Sequence, residues 1–184
     1  MQETEVKILQ VNRNKIEEQL IELGAKKAFD GDIRTIFFDF KSGDIVKAKN
    51  VLRLRKEETK TELTFKKVNY TKAAKHAEEL TVEISSLETM QKILENIGLR
   101  GSEDMLKHRV SFKLDGARFD IDRYLGEYSF IPEFLEIEGK NVDSIRDYAS
   151  KLGFKPEDCL SWSTYDLIQH YSSKKGQEQK QCFK

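Results

Sequence analysis

Charged residues of one sign stand two apart at several places in this chain. Basic pairs occur at Arg53 and Arg55 and at Lys107 and Arg109; acidic pairs occur at Glu3 and Glu5, Asp120 and Asp122, and Glu136 and Glu138. Lys7 follows Glu5 at the same interval, and Lys66 ends a Thr64-Phe65-Lys66 alternation. In a strand, residues i and i+2 share a face and lie roughly 7 Å apart. Each segment therefore reads as a strand with a charged face backed by an apolar one, carried by Val6 and Ile8, Leu52 and Leu54, Leu63 and Phe65, Val110 and Phe112, Phe119 and Ile121, and Leu135 and Ile137. Like charges at that spacing repel unless opposite charge lies between them. Basic pairs ask for a polyanion and acidic pairs for a cation, so one surface holding both suggests a phosphate chain with its metal ions.

The elements that must position these residues follow from periodicity. Strands are expected over 3–9, 33–40, 51–57, 61–68, 78–84, 105–113, 118–124 and 134–138. Asp115-Gly116 marks the hairpin between the sixth and seventh strands. Helical spacing recurs at Ile16, Leu20 and Leu23 before Gly24, at Leu87, Met90, Leu94 and Ile97 before Gly98, and at Ile145, Tyr148, Ala149 and Leu152 before Gly153. Ser85 or Ser86 is the expected cap of the second of these helices. Thr164–Tyr171 reads as a short last helix, residues 41–50 as a polar loop and residues 69–77 as a basic loop. Beyond Ser172 the chain is polar and aperiodic, and residues 172–184 are expected to be a disordered tail on a single domain spanning 1–171.

An antiparallel sheet with one wet face also alternates charged and apolar residues. Such a face, however, mixes signs along each strand so that neighbours pair. Here same-sign pairs cluster, and nearly every strand carries one. The arrangement that accommodates this is an α+β fold: a closed or nearly closed eight-stranded antiparallel β-barrel with charged side chains lining a tunnel and amphipathic helices packed outside.

The totals agree with that reading. The chain has 184 residues, 35% of them charged, with 32 basic and 32 acidic side chains. A zero net charge argues against a general nucleic-acid or membrane-surface binder. No apolar run approaches the ~20 residues of a membrane span. Cys159 and Cys182 form no CxxC and read as free thiols of a reducing compartment. With Met1 leading directly into the first strand, a cytoplasmic location is expected. No glycine-rich phosphate loop, zinc spacing or nucleophilic triad is present.

The ordered set of motifs resembles the CYTH family of triphosphate tunnel enzymes, which includes thiamine triphosphatases, inorganic triphosphatases and class IV adenylyl cyclases. Glu3, Glu5 and Lys7 match its ExExK signature; Arg53 and Arg55 match its RxR; Lys107 and Arg109 match its KxR; Glu136 and Glu138 match its closing ExE. Lys66, Glu83 and Asp122 fit single positions, and Ser163-Thr164-Tyr165-Asp166-Leu167 is similar to its C-terminal helix motif. The resemblance covers residues 1–171. It implies that Arg53, Arg55, Lys66, Lys107 and Arg109 grip phosphate oxygens, and that Glu3, Glu5, Asp122, Glu136 and Glu138 ligate Mg²⁺ or Mn²⁺. Lys7 would orient the attacking water or contact the terminal phosphate. Glu83 would bind metal, orient a lysine or balance charge. A homodimer is implied only at the level of the family.

The chain departs from the family at three places. Phe37-Phe38-Asp39 stands where Tyr-Phe-Asp is common, Glu127–Glu133 lengthens one link, and the His-Phe pair of class IV cyclases does not precede Glu3. The expected activity is accordingly metal-dependent hydrolysis of a terminal phosphoanhydride in inorganic, thiamine or nucleoside triphosphate. The alternatives are a class IV adenylyl cyclase making cyclic AMP and pyrophosphate, and a non-catalytic polyphosphate-binding module.

Overall fold

A computed structural model describes residues 2–58, 60–70 and 75–181, without the side chains of Gln2, Glu3, Asn69, Tyr70, Lys75, His76 and residues 174–181. Eight strands, β1 (Gln2–Leu9), β2 (Lys26–Phe40), β3 (Asn50–Glu57), β4 (Lys60–Tyr70), β5 (Lys75–Glu83), β6 (Leu99–Leu114), β7 (Ala117–Tyr124) and β8 (Phe134–Gly139), form one sheet. Every pairing is antiparallel, and the order β1-β5-β4-β3-β2-β6-β7-β8 returns to β1, so the sheet closes on itself. The expected barrel is observed.

Apolar strand faces lie outward and are covered by helices. Helices α1 (Arg13–Glu22) and α4 (Val142–Lys151) lay Ile16, Leu20, Ile145 and Ala149 on Val6, Ile8, Val110, Phe112, Phe119, Leu135 and Ile137. Helix α3 (Leu87–Asn96) lays Leu87 and Leu94 on Ile36, Phe38 and Leu54. Its cap is Ser86, whose side chain accepts from the Thr89 amide. Residues one position out of phase with these apolar ones therefore point into the barrel. The Asp115-Gly116 turn holds both φ angles positive, at 47° and 80°, as a tight hairpin requires.

Five expectations about elements are corrected. β2 begins at Lys26, seven residues before the expected start, and β6 begins at Leu99 rather than Met105. The loop at 41–50 contains a one-turn helix α2 (Asp44–Lys47), held by the Asp39 carboxylate, which accepts from the Phe40, Ile45 and Val46 amides at 2.7, 2.9 and 3.0 Å. The expected basic loop is largely strand, since β4 runs to Tyr70 and β5 starts at Lys75; residues 71–74 lie outside the described chain. Helix α5 (Thr164–Gln181) continues past Ser172, where an irregular tail was expected. Gln, Glu and Lys are good helix formers, and they extend a helix already nucleated by packing.

A third apolar cluster lies within the sheet rather than over it. Leu9, Phe37, Met105, Tyr124 and Phe134, from five strands, pack with Tyr128, Phe130 and Ile131 of the β7–β8 link and with Leu167 and Tyr171 of α5. Trp162 joins it and contacts His170, with ring centroids 4.9 Å apart. This cluster stoppers one end of the barrel.

Candidate functional site

Cross-strand register builds the charged interior. Lys7 lies opposite Glu136, Glu136 opposite Asp120, and Asp120 opposite Ser111. In the next row Asp122 lies opposite Arg109. In the row on the other side, Glu5 lies opposite Glu138 and Glu138 opposite Arg118. Strands β1, β6, β7 and β8 thus place acids and bases on one continuous wall.

Lys7 is 2% exposed. Its Nζ lies 2.7 Å from Glu136 Oε1 and 3.2 Å from Glu5 Oε1. Arg109 is also buried and engages three carboxylates. Its Nε donates to Asp122 Oδ1 at 2.6 Å, its Nη2 to Asp122 Oδ2 and to Glu136 Oε2 at 2.5 Å each, and its Nη1 to Asp120. Lys107 Nζ donates to Asp122 Oδ2 at 2.5 Å and lies 6.0 Å from the Tyr124 ring centre. Asp120 is held additionally by Ser111 Oγ at 2.5 Å and by Arg118 Nε at 2.8 Å.

On the opposite wall, Arg53 and Arg55 project from β3. Arg55 Nη2 lies 3.2 Å from Glu57 and 3.6 Å from Glu62. Lys66 pairs with Glu79, which it faces across the β4–β5 ladder.

The electrostatics of the two walls differ. Burial alone would lower the Lys7 pKa, but Glu136 and Glu5 overcome it and hold the ammonium above its ordinary value. Burial would raise the Glu136 pKa, but Lys7, Lys107 and Arg109 drive it well below the usual carboxylate range. Lys107 is shifted down, by burial first and then by Arg109, despite Asp122. Arg55 is pushed down to about 10 by burial, by Arg53 beside it and, behind Glu57's opposing pull, by Arg109 and Arg118. Arg55 thus meets Glu57 and Glu62 while also feeling the neighbouring guanidiniums.

The sequence-predicted residues divide accordingly. The structure brings together Glu5, Lys7, Lys107, Arg109, Asp122 and Glu136, and Glu138 stands in register beside Glu5. Arg53, Arg55 and Lys66 face the same interior from β3 and β4. The backbone of Glu3 pairs with Ala77, while its side chain lies outside the described part of the chain. Glu83 is not brought to Lys7. It is exposed at the end of β5 opposite Glu62, six residues beyond Ala77, or ~20 Å along the strand. The glutamate that meets Lys66 is Glu79. His108, on the outer face of β6, bridges Asp32 and Asp30 at 2.8 and 3.0 Å. Asp120 and Arg118 read from the sequence as wall residues sharing the face of Asp122, whereas Ser111 was not singled out; its i+2 alternation with Arg109 was the available signal.

Residues 1–157 match the profile of the CYTH domain. The chain belongs to the CYTH family. A Methanocaldococcus jannaschii protein, named provisionally as an adenylate cyclase, is 30% identical over 150 residues, which cover 80% of this CYTH chain and 81% of that one. A solved Pyrococcus horikoshii structure superposes with a TM-score of 0.75 at 26% identity, covering 90% of this chain and 98% of that one. A Hippeastrum structure, named provisionally as an adenylyl cyclase and described as revealing a dominant triphosphatase activity, shares the CYTH fold at a TM-score of 0.67 and 15% identity, over 91% and 95% of the two chains.

Proposed function

We propose that this CYTH protein is a divalent-metal-dependent triphosphatase that hydrolyses the terminal phosphoanhydride of an inorganic, thiamine or nucleoside triphosphate. The observation that supports this reading is the convergence of Arg53, Arg55, Lys66, Lys107 and Arg109 on the interior of one closed barrel, with an apolar cluster filling one end. A triphosphate, with about four negative charges near neutral pH, matches that cluster of cations.

Arg53, Arg55, Lys66, Lys107 and Arg109 bind the phosphate oxygens. The arginines do so through planar forks and the lysines through movable point charges. Lys7, pinned between Glu5 and Glu136, stays charged and orients the water that attacks the terminal phosphorus. The P–O bond to the bridging oxygen breaks, the shortened chain leaves with the electron pair, and water contributes hydroxyl to orthophosphate and one proton to solvent or product.

The donor set suits Mg²⁺ or Mn²⁺ in kind, because Glu5, Asp122, Glu136 and Glu138 offer hard carboxylate oxygens on adjoining strands. Together with Glu3 they are the residues that would hold it. Among the described residues no three such groups converge on one point, and Glu5, Asp122 and Glu136 each face a lysine or arginine. When bound, the metal neutralises charge on the reacting phosphates. The stopper at one end leaves the other end for a substrate's organic group, so the terminal phosphate points inward.

A class IV adenylyl cyclase is the second reading, favoured by the name of the Methanocaldococcus relative. Incubation with tripolyphosphate, thiamine triphosphate and ATP, under Mg²⁺ and under Mn²⁺, separates the two. Orthophosphate supports the hydrolase, cyclic AMP with pyrophosphate supports the cyclase, and neither product leaves a binding module.

A further inference from the structure

The wall of β7 carries a cation that no expected site includes. Arg118 shares the inward face of β7 with Asp120, Asp122 and Tyr124. Tyr124 belongs to the apolar stopper, and Arg118 stands six residues from it, ~20 Å along the strand, at the opposite end of the barrel. Its side chain is 30% exposed, against 6% for Arg109, so it borders solvent where Arg109 does not.

Its orientation is fixed by one carboxylate. Asp120, itself 5% exposed, accepts Arg118 Nε and Ser111 Oγ on Oδ1 and Arg109 Nη1 on Oδ2. Three protein donors occupy Asp120, which makes it a bracket. It holds two guanidiniums from neighbouring strands on the wall that faces Arg53 and Arg55. Anchoring a guanidinium through Nε directs its Nη face away from the anchor. Arg118 is also close enough to Arg55 and to Arg109 for mutual repulsion to be felt. Four arginines gathered in one enclosure, one of them pinned at the open end, match a phosphate chain running from the stopper toward solvent.

We propose that Arg118 is a further oligophosphate-binding residue at the open end of the barrel, and that Asp120 is the positioning residue that aims it. This rests on the triphosphate reading above. It adds a contact that grips the part of the chain furthest from the stopper, and so favours long phosphate chains over short ones.

The test is calorimetric titration of tripolyphosphate and of pyrophosphate into the full-length protein, once in EDTA and once with Mg²⁺. Arg118→Gln, Arg118→Lys and Asp120→Asn are compared with wild type, and the melting temperature of each free protein is recorded. Arg118→Gln should weaken tripolyphosphate binding about tenfold or more, weaken pyrophosphate less, and melt near wild type. Arg118→Lys should recover part of the loss, and Asp120→Asn combined with Arg118→Gln should lose less than the sum of the two single losses. Tripolyphosphate affinity of Arg118→Gln within twofold of wild type overturns the binding role. A loss shared equally by pyrophosphate, or left unrecovered by Arg118→Lys, overturns it too. Additive losses in the double variant overturn the positioning role of Asp120. If wild type binds no tripolyphosphate under either condition, the triphosphate reading itself fails, which is a different result from a wild type that binds and an Arg118→Gln variant that binds equally.

Discussion

Lys7 and Glu136 face each other across the β1–β8 ladder, with Nζ and Oε1 2.7 Å apart in the barrel interior. Neither charge could stay buried alone, because desolvating an unpaired ion costs several kcal/mol. The pair therefore ties the closing seam of the barrel to the chemistry of the site.

The first prediction concerns acid. Glu136 is held well below the ordinary carboxylate range in the folded state. The stability this gives is complete above the ordinary glutamate pKa of ~4.3 and is lost as pH falls through the folded value. Urea midpoints followed downward from pH 7 should hold to about pH 4.3 and then fall steeply. In Glu136→Gln the fall should be shallower. Parallel curves would remove Glu136 from the acid response.

Lys7 gives the second, with the opposite sign. Its raised pKa contributes stability that is present below the ordinary lysine value of ~10.4 and is lost only as pH rises through the folded one. Lys7→Met leaves Glu5 and Glu136 without their shared cation. Unfolding free energy at pH 7 should drop by about 3–5 kcal/mol, the range for breaking a buried pair. A drop under about 1 kcal/mol would mean that the two carboxylates find other partners.

Arg55 should trade stability against function. Its guanidinium is pushed down to about 10, chiefly by burial and by Arg53. Arg55→Gln relieves that repulsion, so the free protein should melt at the same temperature or higher, while phosphate release falls about a hundredfold. A melting temperature lowered by several degrees would show that its contacts with Glu57 and Glu62 outweigh the repulsion.

The stopper is tested at Leu167, fully buried against β-strand residues of the barrel interior. Leu167→Ala should cost about 2–5 kcal/mol in urea denaturation, as expected for a cavity in a packed core. A near-zero cost would mean that α5 is not part of the cooperative fold.

The residues show why some of this was legible in the sequence and some was not. Glu5-Val6-Lys7 and Arg53-Leu54-Arg55 announce strand and facing at once, because side chains in a strand alternate strictly. The barrel followed, since so many charged faces need a shared interior. Arg118 and Asp120 read as wall residues beside Asp122, but alternation alone does not show that one carboxylate brackets two guanidiniums. Glu83 was favoured over Glu79 by its motif position, yet only register shows which glutamate lies across from Lys66. Alternation also shows which way Leu9, Tyr124 and Phe134 point, but not that they meet at one end; that depends on strand stagger around the barrel. The early start of β2 was hidden by Asp30-Gly31-Asp32, which reads as a turn although the backbone runs through it as strand.

The most direct measurement of the central claim is orthophosphate release from tripolyphosphate under Mg²⁺ or Mn²⁺ by wild type and by Arg53→Gln, with circular dichroism confirming that both are folded. The account predicts metal-dependent release by wild type and a loss of about a hundredfold or more in the variant. Equal release by the two proteins, or none by wild type with any triphosphate, would contradict it.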